Sequence, residues 1–272
     1  MPIRTPCCVL CLVLGIARVW AADPPASPAR LPLADFKLVV TLYGVGQERF
    51  GTSELVVRHG RVFQFNSDAK SEVIIHDPTT ERVELLDLDR MLQTELTWKA
   101  LEAAENRLRK SLLAAIEKRE REGGRANLVA AGMSRDLVEP RFRSNFDPKT
   151  NHLRLTNPTV EVDAVGEPED DPVRRAFIAN ILSLAIKLDA KRNPAQVPPF
   201  TRLEALRALS ADHKLRPAET SYLFRLAGPP KKLRWTYRLV PALTDRELEA
   251  LARINRLREK APRVRFERYE NP

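Results

Sequence analysis

Between Ala176 and Ile186 the chain reads Ala-Phe-Ile-Ala-Asn-Ile-Leu-Ser-Leu-Ala-Ile, with Asn180 and Ser183 as the only polar residues. A helix that is apolar nearly all the way round has no face to offer water. This one is also shorter than the roughly 20 apolar residues that a bilayer span requires. The pattern predicts a buried helix from about Pro172 to Lys191, covered on more than one side. Glu167, Glu169, Asp170 and Asp171 stand before it, where negative charge is favoured by the unpaired amides of a helix start.

The cover must come from strands. Phe36, Leu38, Val40 and Leu42 alternate with other residues and predict a half-buried strand. Leu55–Arg58 and Arg61–Phe65 flank His59-Gly60, the two-residue spacing of a tight hairpin in which glycine supplies a positive φ. Glu72–His76 and Arg82–Leu86 follow, joined through Asp77-Pro78-Thr79-Thr80, and strands are predicted again over Glu139–Phe146, His152–Leu155 and Thr159–Val165. Ser221–Leu226 and Lys232–Val240 close the set. In the last, Leu233, Trp235, Tyr237 and Leu239 share one face, and Lys232, Arg234 and Arg238 share the other.

Three more helices are predicted. Thr97–Glu122 carries an apolar stripe of Leu101, Leu108, Leu112 and Ile116, expected to lie on the sheet, and ends at Gly123-Gly124. A short helix starts near Thr201, and Thr244-Asp-Arg-Glu247 is a capping box for a helix to about Lys260. Grouped strands and helices without regular alternation indicate an α+β class: a curved, mainly antiparallel sheet packed by about four helices. The fold should span residues 35–272 as one domain, with Pro194, Pro198 and Pro199 marking a sub-boundary near 193–200.

Ahead of the fold, Arg4, an apolar stretch from Cys7 to Ile16, and Val19-Trp20-Ala21 follow the order of a secretory signal peptide cut after Ala21. A Pro-rich linker over 22–34 comes next. The expectation is an exported chain, periplasmic or extracellular. Cys7, Cys8 and Cys11 all fall inside the predicted signal, so the segment that follows has no disulfide, thiolate metal site or cysteine nucleophile. The formal charge is +9. From Phe200 onward there are 17 Lys and Arg against 9 Asp and Glu, net +8, which concentrates the excess in the last quarter. Such asymmetry points to a polyanion or anionic surface, and for an exported chain this is an anionic envelope surface or lipid-like ligand, with no nucleic acid expected. Arg225, Lys232, Arg234 and Arg238 are the candidate anion patch, with a solvated strand face as the alternative.

No cofactor, metal site or catalytic residue is expected. Gly44-Val-Gly46-Gln-Glu-Arg49 has arginine where a dinucleotide fingerprint needs its third glycine. The acidic run from Asp163 to Asp171 lacks calcium-loop spacing. His76-Asp77 sets a histidine beside a carboxylate, but neighbours on a strand point to opposite faces. Phe63, Phe65, Trp98, Phe177 and Ile181 are the candidate lining of an apolar ligand cavity, with plain core as the alternative.

The paired short strands from Phe36 to Thr97, containing Gly60-Arg-Val-Phe-Gln-Phe65 and Val73-Ile-Ile-His-Asp77 and followed by a helix, resemble the amino-terminal half of the lipoprotein-carrier, LolA-like, superfamily. The resemblance implies an exported half-open barrel that holds acyl chains, with the Ala176–Ile186 helix as lid or plug. The leading expectation is an exported, non-enzymatic envelope protein, a scaffold or binder of an apolar or anionic, lipid-like ligand. The alternative is an exported hydrolase, for which His76, Asp77 or Asp68 would have to converge with another polar group in a cleft.

Overall fold

The computed structural model describes residues 33–44, 46–69, 71–193, 198–226 and 229–270. The signal-peptide reading and most of the linker lie outside these. Five hairpin steps build the first half of the sheet from β1 (Phe36–Tyr43), β2 (Arg49–Arg58), β3 (Arg61–Asn66), β4 (Glu72–Asp77), β5 (Arg82–Asp87) and β6 (Leu92–Thr97). The second half comprises β7 (Arg143–Asp147), β8 (His152–Thr156), β9 (Val160–Pro168), β10 (Leu215–Phe224) and β11 (Lys231–Val240). The two halves join where the first strand pairs the last, Lys37 opposite Val240 and Leu42 opposite Trp235. The result is an eleven-stranded antiparallel sheet of order β6-β5-β4-β3-β2-β1-β11-β10-β9-β8-β7, curved and unclosed.

Local chemistry sets the turns. His59 and Gly60 both have positive φ, 50° and 75°, as a two-residue hairpin with the right twist requires. Three other hairpins share one device: Asp77, Asp87 and Asp147 accept backbone amides two residues on, and the residue four places on, Glu81, Met91 or Asn151, turns left-handed. The aspartate side chain thus substitutes for a ladder bond at the point where the strand must stop.

The described residues form six helices, two beyond the expected four: α1 (Trp98–Glu122), α2 (Arg125–Val138), α3 (Pro172–Arg192), α4 (Phe200–Arg207), α5 (Asp245–Lys260) and α6 (Phe266–Glu270). Residues 208–212 continue α4 as a π-helical turn. Asp171 caps α3, accepting the amides of Val173 and Arg174 at 2.8 and 3.2 Å, and Pro172 occupies the first turn, where its missing N–H costs nothing. Ile178, Ile181, Leu182, Leu184, Ile186 and Leu188 of α3 are all buried. They meet Leu38, Leu55, Val57, Ile74 and Leu85 from the sheet and Leu101 from α1, so this helix is covered on more than one side. The opposite, outer face of β2–β5 is covered by α5 through Leu251 and Ile254.

The α1 stripe departs from expectation. It packs along α2 and α3 and touches the sheet only near β6; Ile116 is buried with Ala131 and Val138 of α2 and Phe200 of α4. The inner face of the sheet is already taken by α3, so α1 forms a second layer over that helix. Among the described residues, no helix is long and apolar enough to cross a membrane.

Candidate functional site

Where α3 crosses the inner face of the sheet, packing is incomplete and leaves a cavity of about 530 Å³. This lies within the range of about 300–1,000 Å³ typical of small-molecule sites. Val40 and Leu42 of β1, Trp235 and Tyr237 of β11, and Leu182 and Ile186 of α3 contribute apolar wall. The alternation of the strands puts these residues on one side, Val40 opposite Tyr237 and Leu42 opposite Trp235. Gly51 continues the same row opposite Leu42. A Cβ built there would meet nothing closer than the Ser67 hydroxyl at 3.7 Å, so the glycine leaves volume that another residue would fill.

Polar groups gather where α3 ends. Leu182, Ala185 and Ile186 line the apolar stretch, and Asp189, Arg192 and Asn193 follow along the same helix. Arg192 donates to both oxygens of Glu72 at 2.6 and 3.2 Å, and its Nε lies 3.1 Å from Glu270. Burial works against its charge, but the Glu72 carboxylate outweighs that and holds the guanidinium above its ordinary pKa. The Tyr269 hydroxyl donates to Glu72 at 2.9 Å; burial and the neighbouring carboxylate push its pKa up, so it stays a donor. Arg202 lies 3.4 Å from Asp189 and 4.8 Å over the ring of Trp235. The Tyr237 hydroxyl, its pKa raised by burial, shares a 3.2 Å hydrogen bond with Thr220. The arrangement offers an amphiphile an apolar body site with a charged, hydrogen-bonding end.

None of the five residues singled out from the sequence as cavity lining stands on this wall. Phe63 and Phe65 face outward, packed with Val56, Val73 and Ile75 beneath α5. Trp98, Phe177 and Ile181 belong to the core between sheet, α1 and α3, from which the cavity opens. Ile181 is turned about 100° around the helix from Leu182. Lys232, Arg234 and Arg238 do share the outer face of β11, but acidic residues of adjacent strands interleave with them. Arg234 lies 4.0 Å from Glu219 and over Tyr43, while Arg225, one residue past β10, pairs with Glu161, which Arg154 also holds. The Glu161 carboxyl is held below the usual range by those two guanidiniums.

The residues considered for hydrolysis are not brought together. His76 is buried behind Gln64, Asp77 binds Arg61 at 2.9 Å and the turn amides, and Asp68 sits exposed at the cavity rim. The acidic run before α3 is spent on structure: Asp163 faces His152, Glu167 pairs with Arg216, Glu169 with Arg174, and Asp171 caps the helix. The polar end of the cavity escaped the sequence reading because Glu72, Asp189 with Arg192, Arg202 and Glu270 come from four separate elements, β4, α3, α4 and α6. The one available signal was the pair Asp189 and Arg192, charged residues that end an otherwise buried helix. No family model matches the chain, and no curated protein matches it.

Proposed function

We propose that this chain is an exported, non-enzymatic binder of a lipid-like amphiphile, held in the cavity between α3 and the inner face of the sheet. The observation that carries the reading is the gradient along α3, from Leu182 and Ile186 on the apolar wall to Asp189 and Arg192 at the polar end of the same cavity. A protein has no structural need for such a volume, since interiors otherwise pack to the density of organic crystals. The signal-like start of the sequence supports export. The likeness to lipoprotein carriers supports the ligand class, because an apolar helix over a curved, unclosed sheet is the arrangement that likeness implies.

Trp235 on the wall is a built-in reporter. A decyl-chain probe should change its fluorescence saturably, with Trp98 away from the cavity as the steady background. Gly51→Leu and Ala185→Phe, which fill the cavity from opposite walls, should abolish the change while leaving the melting temperature near that of the unmodified protein. Undiminished binding in both filled variants would end the reading.

A further inference from the structure

The charge around the cavity says which kind of amphiphile fits. Among the described lining residues there are two cations, Arg192 and Arg202, and four carboxylates, Asp68, Glu72, Asp189 and Glu270. Both guanidiniums are already engaged. Arg192 spends its fork on Glu72 and turns its Nε to Glu270; Arg202 faces Asp189 and stacks on Trp235. The carboxylates are not all answered in return. Glu270 Oε1 is buried without a hydrogen-bond donor, its 3.1 Å approach to Arg192 Nε lacking hydrogen-bond geometry. Asp68 has no ion-pair or hydrogen-bond partner among the described residues. The polar end therefore has a surplus of acceptors and negative charge, and what it lacks is a donor that is positively charged.

We infer that the ligand is a single-chain amphiphile with a cationic head, an alkylammonium or alkyl quaternary ammonium, whose tail follows the apolar wall and whose head sits among Asp68, Asp189 and Glu270. The inference rests on the cavity being the binding site proposed above. An anionic head would have to displace a carboxylate from one of the two arginines and then remain beside it, and like charges at such range repel strongly where water is partly excluded. A cationic head meets the unpaired Asp68, and beside Asp189 and Glu270 it faces guanidiniums already balanced by carboxylates, in a lining where carboxylates outnumber cations four to two. Trp235 shows that the wall tolerates positive charge, since one face of its ring already carries the Arg202 guanidinium, and the same attraction is open to a ligand cation.

The test compares decylammonium, decyltrimethylammonium, decanoate and decyl glucoside, all below their micellar concentrations, by isothermal titration of the full chain. At low ionic strength the two cations should bind about tenfold or more tighter than decanoate, with the neutral glucoside between. Salt should narrow the gap. Asp68→Asn, at an exposed position without a partner among the described residues, should weaken the cations severalfold more than the glucoside, and Glu270→Gln should show the same selectivity. Equal affinity for all heads, or preference for decanoate, overturns the cationic head while leaving the cavity as a binding site. Failure of every probe, glucoside included, overturns both.

Discussion

His76 is sealed from water on the inner face of β4, its Nε2 3.2 Å from the Gln64 carbonyl oxygen and its Nδ1 without a partner. Gln64 passes the contact on to Asn66 at 3.0 Å, and Asn66 accepts from Ser53, so the ring ends a short polar chain leading toward the cavity. Protonation would place a second N–H where no acceptor waits, and burial pushes the imidazole pKa down from 6.5 to about 4. The unfolded chain therefore takes up a proton that the folded chain refuses. Stability from this group is complete above about pH 6.5 and is lost as pH falls from there toward 4. Between pH 7 and pH 5 the expected loss is about 2 kcal/mol. Urea titrations at the two pH values should show it, and His76→Gln should remove most of the difference. An unaltered pH dependence in the variant would assign the effect to other groups.

At the scale of elements, α5 is held to the outer face by two ion pairs, Lys37 with Glu247 and Glu84 with Arg258, as well as by Leu251 and Ile254. Glu84, in the middle of β5 and 5% exposed, receives both the Nε and, at 2.5 Å, the Nη2 of Arg258. Removing one partner strands a charge in the interior, whereas removing both leaves an apolar contact. Arg258→Leu alone should cost about 3 kcal/mol, and Glu84→Leu with Arg258→Leu should recover most of it. Chemical denaturation of the four proteins in the cycle measures the coupling. The elements themselves were unequally legible. α3 and α5 announced themselves by an all-round apolar stretch and a capping box, both local signals, and the Thr244–Glu247 box is present as read. β6 was missed because Gln93 and Thr94 are polar yet buried, Gln93 being satisfied by the Arg258 and Ala261 carbonyls far along the chain. α2 was missed because Gly123-Gly124 does end a helix, but another begins at once. In β3, Val62, Phe63 and Phe65 make both faces apolar. Parity alone therefore could not say that the phenylalanines look away from α3, and the cavity wall stayed hidden.

Across the whole molecule the governing feature is the seam between β1 and β11, which fuses two meanders into one sheet. Its register runs from Lys37 opposite Val240 to Tyr43 opposite Arg234, pairing segments from near the two ends of the described fold. A chain ending at Pro230 would keep every other strand yet lose α5 and α6 with β11, baring the outer face of β2–β5 and the edges of β1 and β10, which are long and lie mid-sheet. Unpaired edges of that kind invite association with other chains. This truncation should elute as oligomers or precipitate, and a monomeric form with intact sheet signals in circular dichroism would show that the halves stand without the seam. The same seam orders events in time. Val40 and Leu42 emerge early from the ribosome and Trp235 and Tyr237 late, yet together they wall the cavity. No nascent chain can complete this wall before residue 240 has been made and docked. On the proposed reading of an exported binder, the polypeptide threaded unfolded through a pore arrives empty on the far side, and its ligand is loaded after folding, from that side.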